Sequence, residues 1–78
     1  MKEQIIKKSV IPQKTTIVNP KGTIIREKTY NAGMLDGPIN LYWDNGNKRL
    51  SGQFKDNIRQ GNWKHYSPEG DMILEEEF

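Results

Sequence analysis

The chain has 78 residues, no cysteine, and a net charge of +2 in which 12 basic residues are mixed with 10 acidic ones. This length allows one small domain, near the lower limit at which a single core holds together. The absence of cysteine excludes disulfides and thiolate metal sites, and the mixed charge is weak evidence for any anionic partner. Hydrophobic residues make up 33% of the chain, which fits a thin sheet with two partly solvated faces.

The first 13 residues lie outside the pattern that organises the remainder of the chain. An extra edge strand ended by Pro12 and a frayed terminus explain them equally well. Neither here nor later does an apolar stretch approach the roughly 20 residues of a membrane span, and no targeting signal is visible. We therefore expect a soluble, cytoplasmic protein. Its frequent lysine, isoleucine and asparagine are typical of an AT-rich bacterial genome.

From residue 14 onward the sequence repeats with a period of 24 residues, which is typical of repeat architectures. The residues that recur at this spacing are Gly22, Gly46 and Gly70; Gly37 and Gly61; Tyr42 and Tyr66; and Tyr30, Phe54 and Phe78. We divide the chain into an N-terminal extension, 1–13, and three repeats, at about 14–37, 38–61 and 62–78.

Each repeat is predicted to be a β-hairpin, because two β-branched or aromatic runs flank a turn signal. The predicted strands cover residues 15–18, 23–30, 39–43, 48–54, 62–66 and 71–78. Linking loops are expected at 31–37 and 55–60. The predicted fold is all-β: a single-layer antiparallel meander of about six strands in three tandem hairpins, with a seventh strand if the N-terminal extension also pairs.

The turn inside each repeat is predicted from the alignment of the copies. Asn45-Gly46 alone would indicate a type I′ turn, but Asp44 aligns with Pro20 and Pro68, and proline holds φ near −65°. A type I turn closed by a left-handed glycine, with a G1 bulge, fits all three copies. The residues assigned to these turns are Pro20, Gly22, Gly46, Pro68 and Gly70.

The links between repeats contain two further aligned pairs. Gly33 aligns with Asn57, and both residue types tolerate the left-handed region, so each linking loop is predicted to contain a left-handed residue. Gly37 and Gly61 stand where strands are expected to begin. We predict that these two glycines leave room for a neighbouring aromatic ring.

Aromatic residues recur on both predicted faces of the sheet. Alternation along the strands places Ile39, Leu41 and Trp43 opposite Tyr42, and Trp63 and His65 opposite Tyr66. Aromatic side chains that stay exposed are natural hot spots of a protein interface. The candidate interface residues are Tyr42, Trp43, Trp63 and Tyr66.

These residues resemble the MORN-repeat proteins, specifically the bacterial, antitoxin-like MORN-variant group. Residues 61–66 match that group's Gly-x-Trp-x-x-Tyr opening, and 42–46 and 54–57 match the middle of its repeat. Ile39 departs from the usual tryptophan and Val18 from the usual tyrosine. The resemblance implies an elongated antiparallel β-ribbon that binds proteins or membranes. It covers residues 14–78.

No catalytic, cofactor-binding or metal-binding residue is predicted. His65 is the single histidine and has no nucleophile arranged around it by motif. The three glutamates at 75–77 alternate between the faces of a strand, so they cannot converge on one ion. A kinase would need a nucleotide loop that this chain lacks. A phosphatidylinositol phosphate kinase label, which some MORN proteins carry, would be inherited by association.

We therefore expect a non-enzymatic binding or scaffold module that engages an unidentified protein partner through an aromatic face or a sheet edge. The alternative is peripheral binding of anionic, phosphoinositide-type lipid headgroups through lysines and arginines such as Lys48, Arg49 and Lys55. Homo-oligomers formed by edge pairing are a further alternative, and the interspersed acidic residues argue against nucleic acid.

Overall fold

The strands follow one another across a single sheet in chain order. A computed structural model describes residues 12–78, which form β1 Gln13–Val18, β2 Ile24–Asn31, β3 Met34–Tyr42, β4 Lys48–Lys55, β5 Ile58–Tyr66 and β6 Met72–Glu77. Each strand pairs antiparallel with the next, in the order β1-β2-β3-β4-β5-β6.

The sheet measures 59 × 32 × 12 Å, so it is one layer thick. The predicted all-β meander of six strands is confirmed. The first strand begins at Gln13, one residue inside the predicted N-terminal extension. The seventh strand that the extension could supply falls within residues 1–11, outside the described part of the chain.

Hairpins β1–β2, β3–β4 and β5–β6 close with the turn that the aligned prolines predict. In each one the glycine N–H donates to the carbonyl oxygen three residues earlier: Gly22 to Asn19, Gly46 to Trp43, and Gly70 to Ser67. The φ angles of these glycines are 88°, 89° and 101°, in the left-handed region. The register then shifts at equivalent positions, after Ile17, Leu41 and His65.

The segments that link the repeats are tight hairpin turns, so the prediction of loops over 31–37 and 55–60 is wrong. The β2–β3 turn is Ala32-Gly33, with φ of 53° and 80°, and the β4–β5 turn is Asp56-Asn57, with φ of 49° and 69°. Two successive left-handed residues are typical of a type I′ turn, whose twist matches that of the flanking strands. The strands can therefore continue almost to the turn itself.

The left-handed residues predicted at Gly33 and Asn57 are confirmed. Asn57 also ties its turn back to β3. The Asn57 Oδ1 accepts the backbone N–H of Leu35 at 2.8 Å, and the Asn57 N–H donates to the Leu35 carbonyl at 2.8 Å. The side chain and backbone of Asn57 together join the β4–β5 turn to the start of β3.

Gly37 and Gly61 have a different role from the predicted one. They lie inside β3 and β5, with φ of 114° and 75°, where the register against the preceding strand shifts by two residues. A Cβ on Gly37 would lie 3.2 Å from the Cγ2 of Thr29, and a Cβ on Gly61 would meet nothing within 4 Å. No aromatic ring occupies either space. These glycines recur because the bulge requires a left-handed backbone.

Two large apolar side chains are buried within residues 12–78, and they occupy the same repeat position. Ile39 is 6% exposed and Trp63 is 4% exposed. The indole of Trp63 lies over Gly52, where a Cβ would overlap the ring atoms. Phe54 and Phe78 meet that indole edge-on, with centroid distances of 5.1 and 6.1 Å. The glycine that makes room for a ring is thus Gly52, which the repeat pattern does not single out.

The neighbours of the two buried residues change together between repeats. Ile39 pairs with Lys28 on β2 and with Gly52 on β4. Gly52 stands one period after Lys28, just as Trp63 stands one period after Ile39. The smaller buried residue therefore has a lysine beside it, and the larger one has a glycine. On the preceding strand the large indole thus has a residue without a side chain beside it, as close packing over Gly52 requires.

We expect Gly52→Lys to destabilise the sheet by more than about 2 kcal/mol, because the new side chain would displace the indole of Trp63. In a Trp63→Ile background, which recreates the Lys28–Ile39 pair, the same change should cost at least about 1 kcal/mol less. Urea unfolding of the four proteins of the cycle, followed by circular dichroism, measures this coupling. Equal costs in the two backgrounds would refute the packing relation.

We expect Gly46→Val to cost more than about 1 kcal/mol, since a β-branched residue is strained at φ of 89°. Space is not the limit, because a Cβ there would lie 3.8 Å from its nearest neighbour outside the turn, the Cγ2 of Thr23. The matched control is Ser51→Val, in the interior of β4. If both variants unfold at the same urea concentration, the left-handed turn does not contribute as described.

Candidate interaction site

The four predicted interface residues are not a continuous exposed face. Trp63 is buried, so it fails the condition of exposure on which its prediction depended. Tyr42, Trp43 and Tyr66 are half-buried. The aromatic residues of the sheet are therefore engaged largely in internal contacts, and they do not form a binding face by themselves.

Trp43 joins two neighbouring hairpin tips. Its Nε1–H donates to the carbonyl oxygen of Tyr66 at 3.1 Å, and the Arg49 guanidinium carbon lies 4.9 Å from its ring centroid. The Nδ2 atoms of Asn45 and Asn47 both donate to the Pro68 carbonyl, at 2.9 and 2.8 Å. These bonds hold the β3–β4 tip against the β5–β6 tip, which explains why Trp43 is only partly accessible.

A shallow groove of about 520 Å³ runs beside these tips. It brings Tyr42 and Trp43 next to the side chains of Arg26 and Arg49. Arg49 already stacks on Trp43, so this cation and this ring interact with each other within the chain. The groove is open, and two groups that line it, Asn45 Nδ2 and the Pro68 carbonyl, bond each other between the tips.

Tyr42 belongs to a polar network that crosses three strands on one face. Its hydroxyl donates to Glu27 Oε1 at 2.9 Å, and Lys14 Nζ lies 3.3 Å from Glu27 Oε2. The hydrogen bond from Tyr42, followed by Lys14 and then Lys48, lowers the pKa of Glu27 despite some desolvation. Burial, followed by the bond to Glu27, raises the pKa of Tyr42. This network links β1, β2 and β3.

The largest group of exposed apolar side chains lies on β6 and the residue after it. Its members, with their exposed fractions, are Met72 at 50%, Ile73 at 66%, Leu74 at 50% and Phe78 at 49%. Within residues 12–78, β6 pairs with β5 alone, so its other side is an open sheet edge. Exposed apolar residues along an open edge are a template for strand addition. This concentration was missed because alternation along one strand does not show how far neighbouring side chains cover each residue.

The backbone of β6 presents its unpaired groups at defined residues. Gly61 and Phe78 exchange both of their hydrogen bonds, N–H to carbonyl in each direction, at 3.1 and 2.9 Å. Because antiparallel pairs alternate between bonded and non-bonded, the backbone groups of Glu76 and Leu74 also face β5. Those of Glu75 and Glu77 therefore point away from the sheet. They are the donors and acceptors that an added strand would use.

The remaining candidate residues make ordinary surface contacts. His65 Nε2 lies 2.9 Å from Glu76 Oε1, and both side chains are about one-third exposed, at 34% and 38%. No three His, Asp or Glu side chains of residues 12–78 are placed to share a metal ion. No helix in this part of the chain is long and apolar enough to cross a membrane.

Residues 12–78 thus define a class: a single-layer β-meander built of repeated hairpins, with an apolar open edge at β6. No protein-family model, curated protein or solved structure matches the chain. The resemblance to MORN repeats therefore stays a prediction.

We expect Tyr42→Phe to lower the free energy of unfolding at pH 7 by about 0.5–1.5 kcal/mol, the usual contribution of one hydrogen bond. The pKa of Glu27 in the folded chain is lowered from its ordinary value of 4.5. Its ionised form therefore contributes its full stability above about pH 4.5. This contribution is lost as the pH falls through the folded pKa. Urea unfolding should therefore show a smaller difference between Tyr42→Phe and wild type at about pH 3 than at pH 7.

The matched control is Tyr66→Phe, at the same repeat position, since the hydroxyl of Tyr66 has no carboxylate partner within residues 12–78. A difference for Tyr42→Phe that does not change with pH would contradict the role given to Glu27. So would an equal, pH-dependent loss in Tyr66→Phe.

Proposed function

We propose that this chain is a non-enzymatic protein-binding repeat module that accepts a strand of its partner at the β6 edge. The observation that carries the proposal is the coincidence of two features on one strand. β6 has exposed apolar side chains, and its backbone groups at Glu75 and Glu77 point away from the sheet. Strand addition needs both features: backbone bonds for affinity and side-chain contacts for specificity.

The side chains of β6 also define the kind of strand that would fit. Ile73 and Leu74 offer apolar contacts at one end of the edge. Glu75 and Glu77 are exposed at the other end, where Glu77 accepts a bond from Asn62 Nδ2 at 2.8 Å. A partner strand with apolar residues at one end and polar or basic residues at the other would complement this edge.

The aromatic face is the less favoured binding surface, because Trp63 is buried and Trp43 is engaged by Arg49 and by the carbonyl of Tyr66. The resemblance to the antitoxin-like MORN-variant group of bacteria is consistent with a binding role. It adds no residue to the proposed edge. A phosphatidylinositol phosphate kinase label, if the resemblance led to one, would be inherited by association from other proteins that contain such repeats.

Binding to anionic lipid headgroups has less support in the described residues. The Arg59 guanidinium carbon lies 4.4 Å from the Phe78 ring centroid, Arg49 covers Trp43, and Lys14 pairs with Glu27. Of the three cations named for this alternative, Arg49 is thus engaged within the sheet, whereas Lys48 and Lys55 are exposed. Vesicles of neutral lipid with and without an anionic component test this alternative, since such binding should collapse as salt is added.

The decisive substitution for the proposal is Glu75→Pro. Proline removes an N–H that points away from the sheet, so the ladder with β5 is kept while an added strand is blocked. Glu75→Ala is the matched control, because it removes the same charge and keeps the N–H. A protein captured from source-cell lysate by wild type would be identified, purified and titrated against all three proteins.

We expect Glu75→Pro to weaken that complex by about tenfold or more, since it removes a backbone hydrogen bond and adds a steric clash. Glu75→Ala should bind within about twofold of wild type, because an exposed charge contributes little. Circular dichroism would verify that each variant is folded. Equal binding by the proline and alanine variants would overturn strand addition at β6, as would vesicle binding with no protein partner.

A further inference from the structure

We infer that the strand that fits the β6 edge is β1 of a second copy of this chain, joined in the register of the repeat. This inference rests on the proposed function and names the partner that the edge accepts. Its basis is a match between the two edges that are open within residues 12–78, which lie at opposite ends of the meander.

The β1 edge resembles the β6 edge in its exposed apolar residues. Ile17 and Val18 are 39% and 53% exposed, and within residues 12–78 β1 pairs with β2 alone. Both residues lie at the turn end of their hairpin, as Ile73 and Leu74 do in β6. The two edges therefore carry their apolar residues at the same end of the sheet.

The register of the contact follows from a pairing that already exists within the chain. β2 pairs with β3 through Arg26–Leu41, Glu27–Asn40 and Lys28–Ile39. β6 lies two periods after β2, and β1 lies one period before β3. The same pairing between copies therefore places β6 residues opposite β1 residues as Leu74–Ile17, Glu75–Thr16 and Glu76–Thr15.

This register is chemically favourable along its length. Leu74 lies opposite Ile17, so two half-exposed apolar side chains come together on one face of the joined sheet. Burying such a pair is favourable. Glu75 and Glu76 meet threonines, which are neutral and can donate hydrogen bonds. Lys14, which already pairs with Glu27, follows on β1 on the side where β6 ends in glutamates, and β1 has no acidic residue to repel them.

The strand directions also agree with this arrangement. Six antiparallel strands leave β1 and β6 running in opposite directions, so β1 of the next copy pairs antiparallel with β6. Each copy then keeps the orientation of the one before it, and the meander continues across the contact. Such a head-to-tail interface leaves one free edge of each kind on every assembly, so copies continue to add until a ring closes.

Pairing of β6 with β6 of another copy is the main competing arrangement. It would bring two runs of three glutamates, 75–77, alongside each other or alongside apolar residues and Asp71. Like charges that face each other across strands are destabilising. The β1–β6 contact avoids this repulsion.

A mixing experiment separates the two arrangements. Leu74→Lys blocks only the β6 edge, and Ile17→Lys blocks only the β1 edge. Both positions are half-exposed, so the folded chain should tolerate the lysines. By sedimentation, we expect wild type to form a series of oligomers as its concentration rises, and each variant alone to stay monomeric. An equimolar mixture of the variants should form dimers and no larger species, because one open edge of each kind remains.

Two outcomes would overturn the inference. Dimers of Ile17→Lys alone would mean that β6 pairs with β6, and a wild type that is monomeric at millimolar concentration would mean that the edges do not pair. If wild type is monomeric but Glu75→Pro still blocks a different protein partner, the proposed function stands and only the self-pairing fails.

The register is tested by single cysteines, since the natural chain has none. Opposed residues of an antiparallel pair lie within the reach of a disulfide, about 5.5 Å between Cα atoms. On mild oxidation, a mixture of Thr16→Cys and Glu75→Cys should give the mixed disulfide in large excess over either homodimer. The same yield from Thr16→Cys mixed with Lys55→Cys, a position away from both edges, would refute the register.

Discussion

The indole of Trp63 lies over Gly52, and the rest of the sheet depends on how such a ring can be buried in a single layer. A sheet 12 Å thick has no second layer, so an apolar side chain is shielded only by neighbours on its own face. Gly52 provides the space, Phe54 and Phe78 meet the ring edge-on, and Arg59 lies over the outer ring of Phe78. Ile39, one period earlier, is buried between Lys28 on β2 and Gly52 on β4.

The same constraint determines where apolar surface remains exposed. Each inner strand is covered along both edges by backbone pairing, whereas β1 and β6 are paired on one side within the described residues. The apolar side chains of β6 therefore have no neighbouring strand to shield them, and an added strand is what would complete their environment. In the proposed function, the partner strand shields the side chains of β6 as neighbouring strands shield those inside the sheet.

Much of the architecture was predictable because the copies constrain one another. Pro20 and Pro68 indicated the type I turn with a left-handed glycine, whereas Asn45-Gly46 alone would have indicated a type I′ turn. The linking segments were mistaken for loops because Ala32 is not a residue from which a left-handed backbone is expected, so the two-residue type I′ turn was not recognised there. The exposure of Trp63 could not be judged from periodicity, since its burial depends on Gly52 in a neighbouring strand, whose equivalent in the previous repeat is Lys28.

The sequence by itself determined the β-hairpin repeat, its period, the number of strands and the type I turns, because these depend on local backbone preferences and on alternation within a few residues. Only the tertiary structure decided which aromatic side chains are buried, that Tyr42 bonds Glu27 across strands, and that β6 is the apolar edge. Those properties depend on which residues become neighbours after pairing. Register and bulges set these neighbours, and a shift of one residue would exchange the two faces.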